Sequence, residues 1–220
     1  MIETTSGSGT AWRGSPPRGI ARQPATGLET PLPPYRRPYP TKLFVEVTTR
    51  CNLRCAMCVK QAPGQGLVEG DMSAETFAHL APAFPYLEAL VLNGIGEPLL
   101  HRGLERFIAT ARSAMPAGAW IGFQTNGQLL GQRRAESLVR AGVDRIAISA
   151  DAVRPDELKR LHGGARLGPI ESTARWLHDA ADLAGRPLSL GLEFVAMRSN
   201  LDQLPSSSTG PPAIASASSS

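Results

Sequence analysis

The three cysteines of this 220-residue chain, Cys51, Cys55 and Cys58, fall within eight residues, in the stretch CNLRCAMC. Three thiols this close cannot all pair as disulfides. Thiolates are soft donors, so the cluster points to zinc or to an iron–sulfur centre kept in a reducing compartment. A structural zinc site asks for four ligands, and no histidine lies within 20 residues of these cysteines. On a four-iron cube, three thiolates leave one iron without a protein ligand, which is useful where another molecule must bind it. His79, His101, His162 and His178 read as ordinary core or surface residues.

The elements that must hold this loop alternate. KLFVEV (42–47) is strand-like and runs into the cysteines. A helix is predicted over 72–84, with Ser73 as N-cap. EALVLNG (88–94) is a short apolar run, and 103–115 is an amphipathic helix with Leu104, Phe107, Ile108 and Ala111 on one face. AWIGFQTNG (119–127) reads as strand and turn, then 133–142 as a helix closed by Gly142. DRIAISAD (144–151) is again a strand, 170–185 a helix and LSLGLEFVAM (188–197) a fifth strand. Strand and helix in alternation predict right-handed βαβ units, an α/β fold with a parallel sheet. Trp120, Phe123 and Trp176 are expected in its core.

Polar residues gather where each strand ends: the cysteines, then GIGEP (94–98), TNG (125–127), Ser149 with Asp151, and Arg198 to Asn200. In parallel sheets the chemistry collects at the carboxyl ends of the strands, so a single site at one rim is expected. Singly, each of these groups has a duller reading. GEP and TNG suit turns, Ser149 and Asp151 suit helix caps, and Arg198 and Asn200 suit loop structure.

The ends differ in composition. Residues 1–41 hold eight of the 19 prolines and read as a disordered Pro/Arg-rich arm. Residues 206–220 hold seven serines and read as a disordered tail, leaving 42–205 as the folded core. The net charge of +4 resides in residues 1–42, with six Lys/Arg against two Glu, while the remainder balances at 17 and 17. No basic stripe suggests nucleic acid, and no apolar run suggests a membrane span. The N-terminus lacks the pattern of a secretory signal, and a cytoplasmic setting is expected.

Cys-x3-Cys-x2-Cys after a first strand, followed in order by GEPLLH (96–101), TNG and SADA (149–152), resembles the radical S-adenosylmethionine superfamily. Residues 198–205, RSNLDQLP, are similar to the exit of the fifth strand in the molybdenum-cofactor cyclase and SPASM-type branch. The resemblance spans about 42–205. It implies a partial (β/α) TIM-like barrel, of which about five of six βα units are present. It implies that Cys51, Cys55 and Cys58 hold a 4Fe–4S cluster and that S-adenosylmethionine chelates the remaining iron. Met57 is then expected near the adenine, and Gly96 and Glu97 facing the methionine amine. Ser149, and with it Asp151 and Asn126, is expected to hydrogen-bond the ribose or the methionine carboxylate. The implied activity is reductive cleavage to a 5′-deoxyadenosyl radical that abstracts hydrogen from a peptide or small molecule. An electron donor such as flavodoxin or ferredoxin is the implied partner.

The sequence departs from that family after Pro205, where serine-rich sequence replaces the fifth helix and a sixth unit. The expectation is a truncated or frameshifted product, or a barrel completed by a partner or a second copy. A remnant that binds a cluster, or zinc, without turnover is the alternative function.

Overall fold

The computed structural model describes residues 38–64 and 66–204. The tail expected over 206–220, and the arm expected over 1–41 apart from its last four residues, lie outside the described residues. Five strands, β1 (Lys42–Phe44), β2 (Ala89–Val91), β3 (Trp120–Thr125), β4 (Arg145–Ser149) and β5 (Ser189–Glu193), form one sheet in that order. Every neighbouring pair is parallel. Five helices lie along the chain between them: α1 (Ala74–Ala78), α2 (Leu104–Ala114), α3 (Gln132–Ala141), α4 (Pro155–Leu161) and α5 (Leu167–Ala184). This is the partial (β/α) barrel, with five strands, that the sequence implies.

Alternation along the strands sorts the sheet into two faces. Val45, Leu90, Ile121, Phe123, Ile146 and Ile148 are buried in the core with the helices. From α2 that core takes the expected Leu104, Phe107, Ile108 and Ala111. Phe107 stacks on Phe77 of α1 with ring centroids 4.1 Å apart. The inner face carries Phe44, Val91, Gly122, Arg145 and Ser189, which the register pairs from strand to strand. Trp120, expected in the core, is on this inner face instead. Lys42 Nζ lies 5.6 Å and Arg145 Cζ 4.3 Å from its ring centroid, so cations cover its faces.

Other local differences have plain causes. Ser73 caps α1 as expected, its Oγ accepting from Thr76 N at 3.0 Å. The helix expected to run to residue 84 stops at Ala78, and residues Ala81–Tyr86 tighten into a 3-10 turn. Pro82 and Pro85 there lack the N–H that an α-helix needs. Helix α4 is an addition to the expected elements. It opens on Pro155, Asp156 and Glu157 and closes on Lys159 and Arg160, charges that suit the helix dipole. Gly142 ends α3 in the left-handed region, with φ of 106°. No helix among the described residues is long and apolar enough to cross a membrane.

Candidate functional site

The cysteine loop begins where β1 ends, and it is tied down on both sides. Thr48 pairs with Asp71 in an antiparallel bridge, and its Oγ1 donates to Asp71 Oδ1 at 2.7 Å. Arg50, just before Cys51, donates through Nε and Nη2 to both oxygens of Asp71. Such a two-pronged charge-assisted contact fixes direction as well as distance. On the other side Ala56 N donates to Leu161 O at 2.8 Å. Gly163, with φ of 58°, brings the turn after α4 against Arg54, so close that a Cβ would lie 2.3 Å from its carbonyl oxygen.

The GEP segment packs into the same loop. A Cβ on Gly96 would lie 2.1 Å from Thr48 O, and Glu97 N donates to Arg50 O at 2.8 Å. Glu97 is 2% exposed. Its Oε1 accepts from Leu99 N at 3.1 Å and Thr125 Oγ1 at 2.8 Å, and its Oε2 accepts from Asn126 N at 2.7 Å. One carboxylate therefore locks GEP to TNG. Asn126 in turn donates from Nδ2 to Asn52 Oδ1 at 2.8 Å, which closes the link back to the cysteine loop.

The later strands add a polar row. Gln124 N donates to Asn93 Oδ1 at 2.7 Å, and Gln124 Nε2 donates to Ser149 Oγ at 2.7 Å. Asp151 is buried, with Oδ1 accepting from Val195 N and Oδ2 bonded to His162 Nε2 at 2.8 Å. Asn200, read from sequence as loop structure, donates to the carbonyls of Asp151 and Val195 and holds the exit of β5.

All nine residues singled out in the sequence line one cavity of about 240 Å³: Cys51, Cys55 and Cys58, Met57, Gly96, Glu97, Asn126, Ser149 and Asp151. The resemblance implies that Glu97 faces the methionine amine. The structure puts it on the cavity wall with both oxygens already bonded by the chain. Thr125 of the TNG motif lines the cavity too, and Gln124, Asn93, His162 and Glu193 are additions to the expected site. Strand parity could have found Gln124 and Glu193. The partnership of His162 with Asp151 has no sequence signal short of knowing where α4 ends.

The three cysteines are free thiols, each half-buried. Burial pushes the Cys55 thiol up to about 11, and the nearby Cys51, Cys58 and Asp151 push the same way. Burial likewise raises Cys51, against a backbone hydrogen bond at Leu53 that lowers it. Burial raises the Glu97 carboxyl, against the opposite pull of its Asn126, Leu99 and Thr125 donors. Metal-free Cys55 is thus protonated at neutral pH, and a bound cation must displace that proton. At pH 7.5 the metal-free protein is expected to alkylate at Cys55 roughly tenfold more slowly than a thiol titrating at 9.0, because its thiolate fraction is about 100-fold smaller while the more basic thiolate is several-fold more nucleophilic. The rate should rise roughly tenfold per pH unit up to the thiol's own pKa. Peptide mapping after timed iodoacetamide treatment checks this.

Among the described residues no group of three or more His, Cys, Asp or Glu is set to hold a metal ion. A tetrahedral zinc would draw its sulfurs to about 4 Å of one another at Zn–S bonds of about 2.3 Å. A four-iron cube instead takes its thiolates at separate corners.

Parallel strands with thiols gathered beyond the first of them define an α/β barrel-type protein with a sulfur-lined rim. Residues 45–183 match the radical SAM superfamily, and the chain belongs to it. It is 33% identical over 170 residues to the tungsten-containing aldehyde ferredoxin oxidoreductase cofactor-modifying protein of Pyrococcus furiosus, covering 74% of this chain and 46% of that one. It is 36% identical over 158 residues to the GTP 3′,8-cyclase of Pelotomaculum thermopropionicum, covering 70% and 46%. The chain spans about half the length of the curated relatives it matches. Among solved structures it is similar to Streptococcus suis SuiB, with a TM-score of 0.60 at 14% identity over 78% of this chain and 36% of that one. It is also similar to methylornithine synthase PylB, at 0.59 and 10% over 76% and 50%. At such identities these likenesses concern the fold alone.

The cofactors of the superfamily are a 4Fe–4S cluster and S-adenosylmethionine. The residues here fit that pair: three unpaired thiols border one cavity, and Gly96 lets the opposite wall approach the cysteine loop without a side chain between them.

Proposed function

We propose that this chain, through its core at 42–205, binds a 4Fe–4S cluster on Cys51, Cys55 and Cys58 and S-adenosylmethionine beside it. On this reading it works as a radical enzyme on a peptide or small molecule, in the cytoplasm, with a flavodoxin or ferredoxin as electron donor. The observation that supports it most is the convergence of the three thiols with Gly96, Glu97, Asn126, Ser149 and Asp151 on one cavity. Cys51, Cys55 and Cys58 would hold the cluster, which when bound would supply the electron for reductive cleavage of S-adenosylmethionine and hydrogen abstraction from the substrate.

The chain's own part is to position and to shield. Met57 offers an apolar contact to the adenine. Gly96 opens the backbone to the methionine end, and Oε2 of Glu97 has lone-pair capacity beyond its bond from Asn126 N. Ser149 and Asn126 present polar atoms toward the ribose. The half-buried rim limits water around a reactive species.

The test is anaerobic loading with iron and sulfide, reduction, addition of S-adenosylmethionine and chromatographic detection of 5′-deoxyadenosine. Product is expected from the wild-type chain and none from Cys55→Ser. Cluster without product would favour the remnant that binds without turnover. Tight zinc and no iron would sink the radical reading.

A further inference from the structure

We propose that the inner wall of this cavity takes a substrate carrying an alkylammonium group, with Glu193 as its anionic anchor. The proposal rests on the reading of the cavity as a radical active site and names what that site accepts.

Three carboxylates line the cavity, Glu97, Asp151 and Glu193, and no Lys or Arg is among its lining residues. Glu97 and Asp151 are buried and bonded by chain donors, and the capacity left on Glu97 Oε2 faces the methionine end of the cosubstrate on the reading above. Glu193 is different. It is exposed to the cavity at the end of β5, in register with Ser149; its backbone carbonyl accepts from Ala150 N, but its carboxylate makes no hydrogen bond or ion pair with the described residues. Ser149 is itself the end of the hydrogen-bonded row from Asn93 through Gln124. That row fixes the neighbouring polar groups and leaves Glu193 as the free charge.

A second observation points the same way. His162 lines the cavity and is 3% exposed, and its Nδ1 is buried without a partner. In the neutral imidazole, an Nε2 that donates to the Asp151 carboxylate leaves Nδ1 an acceptor. Both unused groups therefore ask for a donor. An ammonium supplies three donors and a positive charge, whereas a phosphate supplies acceptors and negative charge. The cations on the inner face, Lys42 and Arg145, lie over Trp120 and line no part of this cavity. A triphosphate, such as the GTP for which some relatives are named, finds no cationic partner on this wall.

The full chain, loaded with iron, sulfide and S-adenosylmethionine, is titrated by calorimetry with 1,5-diaminopentane and with GTP. The diamine is expected to bind and GTP not to. Glu193→Gln should weaken the diamine at least tenfold, with iron content and S-adenosylmethionine affinity within twofold of wild type. Glu193→Lys should abolish diamine binding and admit GTP. The proposal is overturned if GTP binds the wild type, or if neither probe binds. It is equally overturned if Glu193→Gln weakens S-adenosylmethionine and spares the diamine, which would assign the residue to the cosubstrate. Should the chain take up neither iron nor S-adenosylmethionine, the radical reading fails separately. The metal-free protein then decides the anchor alone: diamine binding lost in Glu193→Gln supports it, and binding unchanged by that exchange overturns it.

Discussion

Exchanging Gly96 for alanine is expected to lower the melting temperature by about 10 °C and to prevent the chain from holding iron. The added Cβ would lie 2.1 Å from Thr48 O, 2.7 Å from Arg50 O and 2.8 Å from Thr48 C. All three are backbone atoms, so no flexible side chain can swing aside. They belong to the segment that delivers Cys51, and Arg50 O also accepts from Glu97 N. Relief means prising the GEP wall from the cysteine loop and breaking that bond. Overpacking against backbone costs about 3 kcal/mol, at the upper end of its usual range. In a domain of this size that is a shift of about 10 °C. Gly118 is the control, because its Cβ would meet nothing within 4 Å and its φ is not left-handed. Gly118→Ala should melt within a degree or two of wild type, as exposed exchanges cost little. Circular dichroism and iron analysis after reconstitution give both readouts. A Gly96→Ala chain that melts and loads like wild type would show that the close approach is dispensable.

The parts of this site that sequence could reveal are those where one residue type carries the message. Three clustered cysteines have few other uses, and βα alternation announces both the sheet and the rim where polar residues collect. Gly142 marked a helix end because a left-handed residue is needed there. Other features depend on what meets what. Trp120 reads as core from its size. The register instead turns it to the inner face, where Lys42 and Arg145 lie over its ring. Helix α4 spans seven residues, too few to show a periodicity, although its charges are placed as a helix requires. His162 looked ordinary because its meaning comes from Asp151, eleven residues away, and from a buried nitrogen without a partner. Likewise the tie between GEP and TNG rests on a hydrogen bond across 29 residues, which no local pattern encodes.

Replacing Glu97 with alanine tests whether that tie is as strong as its geometry implies. The exchange leaves Leu99 N, Asn126 N and Thr125 Oγ1 as buried donors without an acceptor. Each such orphan costs about 1–3 kcal/mol. The hole adjoins the cavity, so water can serve some of them, and a total loss of about 3 kcal/mol is expected. Glu97→Gln should cost less, about 1–2 kcal/mol, because its carbonyl replaces one acceptor while its NH2 confronts a donor. Hydrogen exchange at the Leu99 and Asn126 amides should quicken in both variants, and more in the alanine variant. The pair also separates two roles for this carboxylate. If Glu97 acts as a brace alone, S-adenosylmethionine affinity should follow the loss of stability and fall further in alanine than in glutamine. If Oε2 also meets the methionine amine, removal of the charge matters most. Glutamine should then lose nearly as much affinity as alanine while keeping most of the stability.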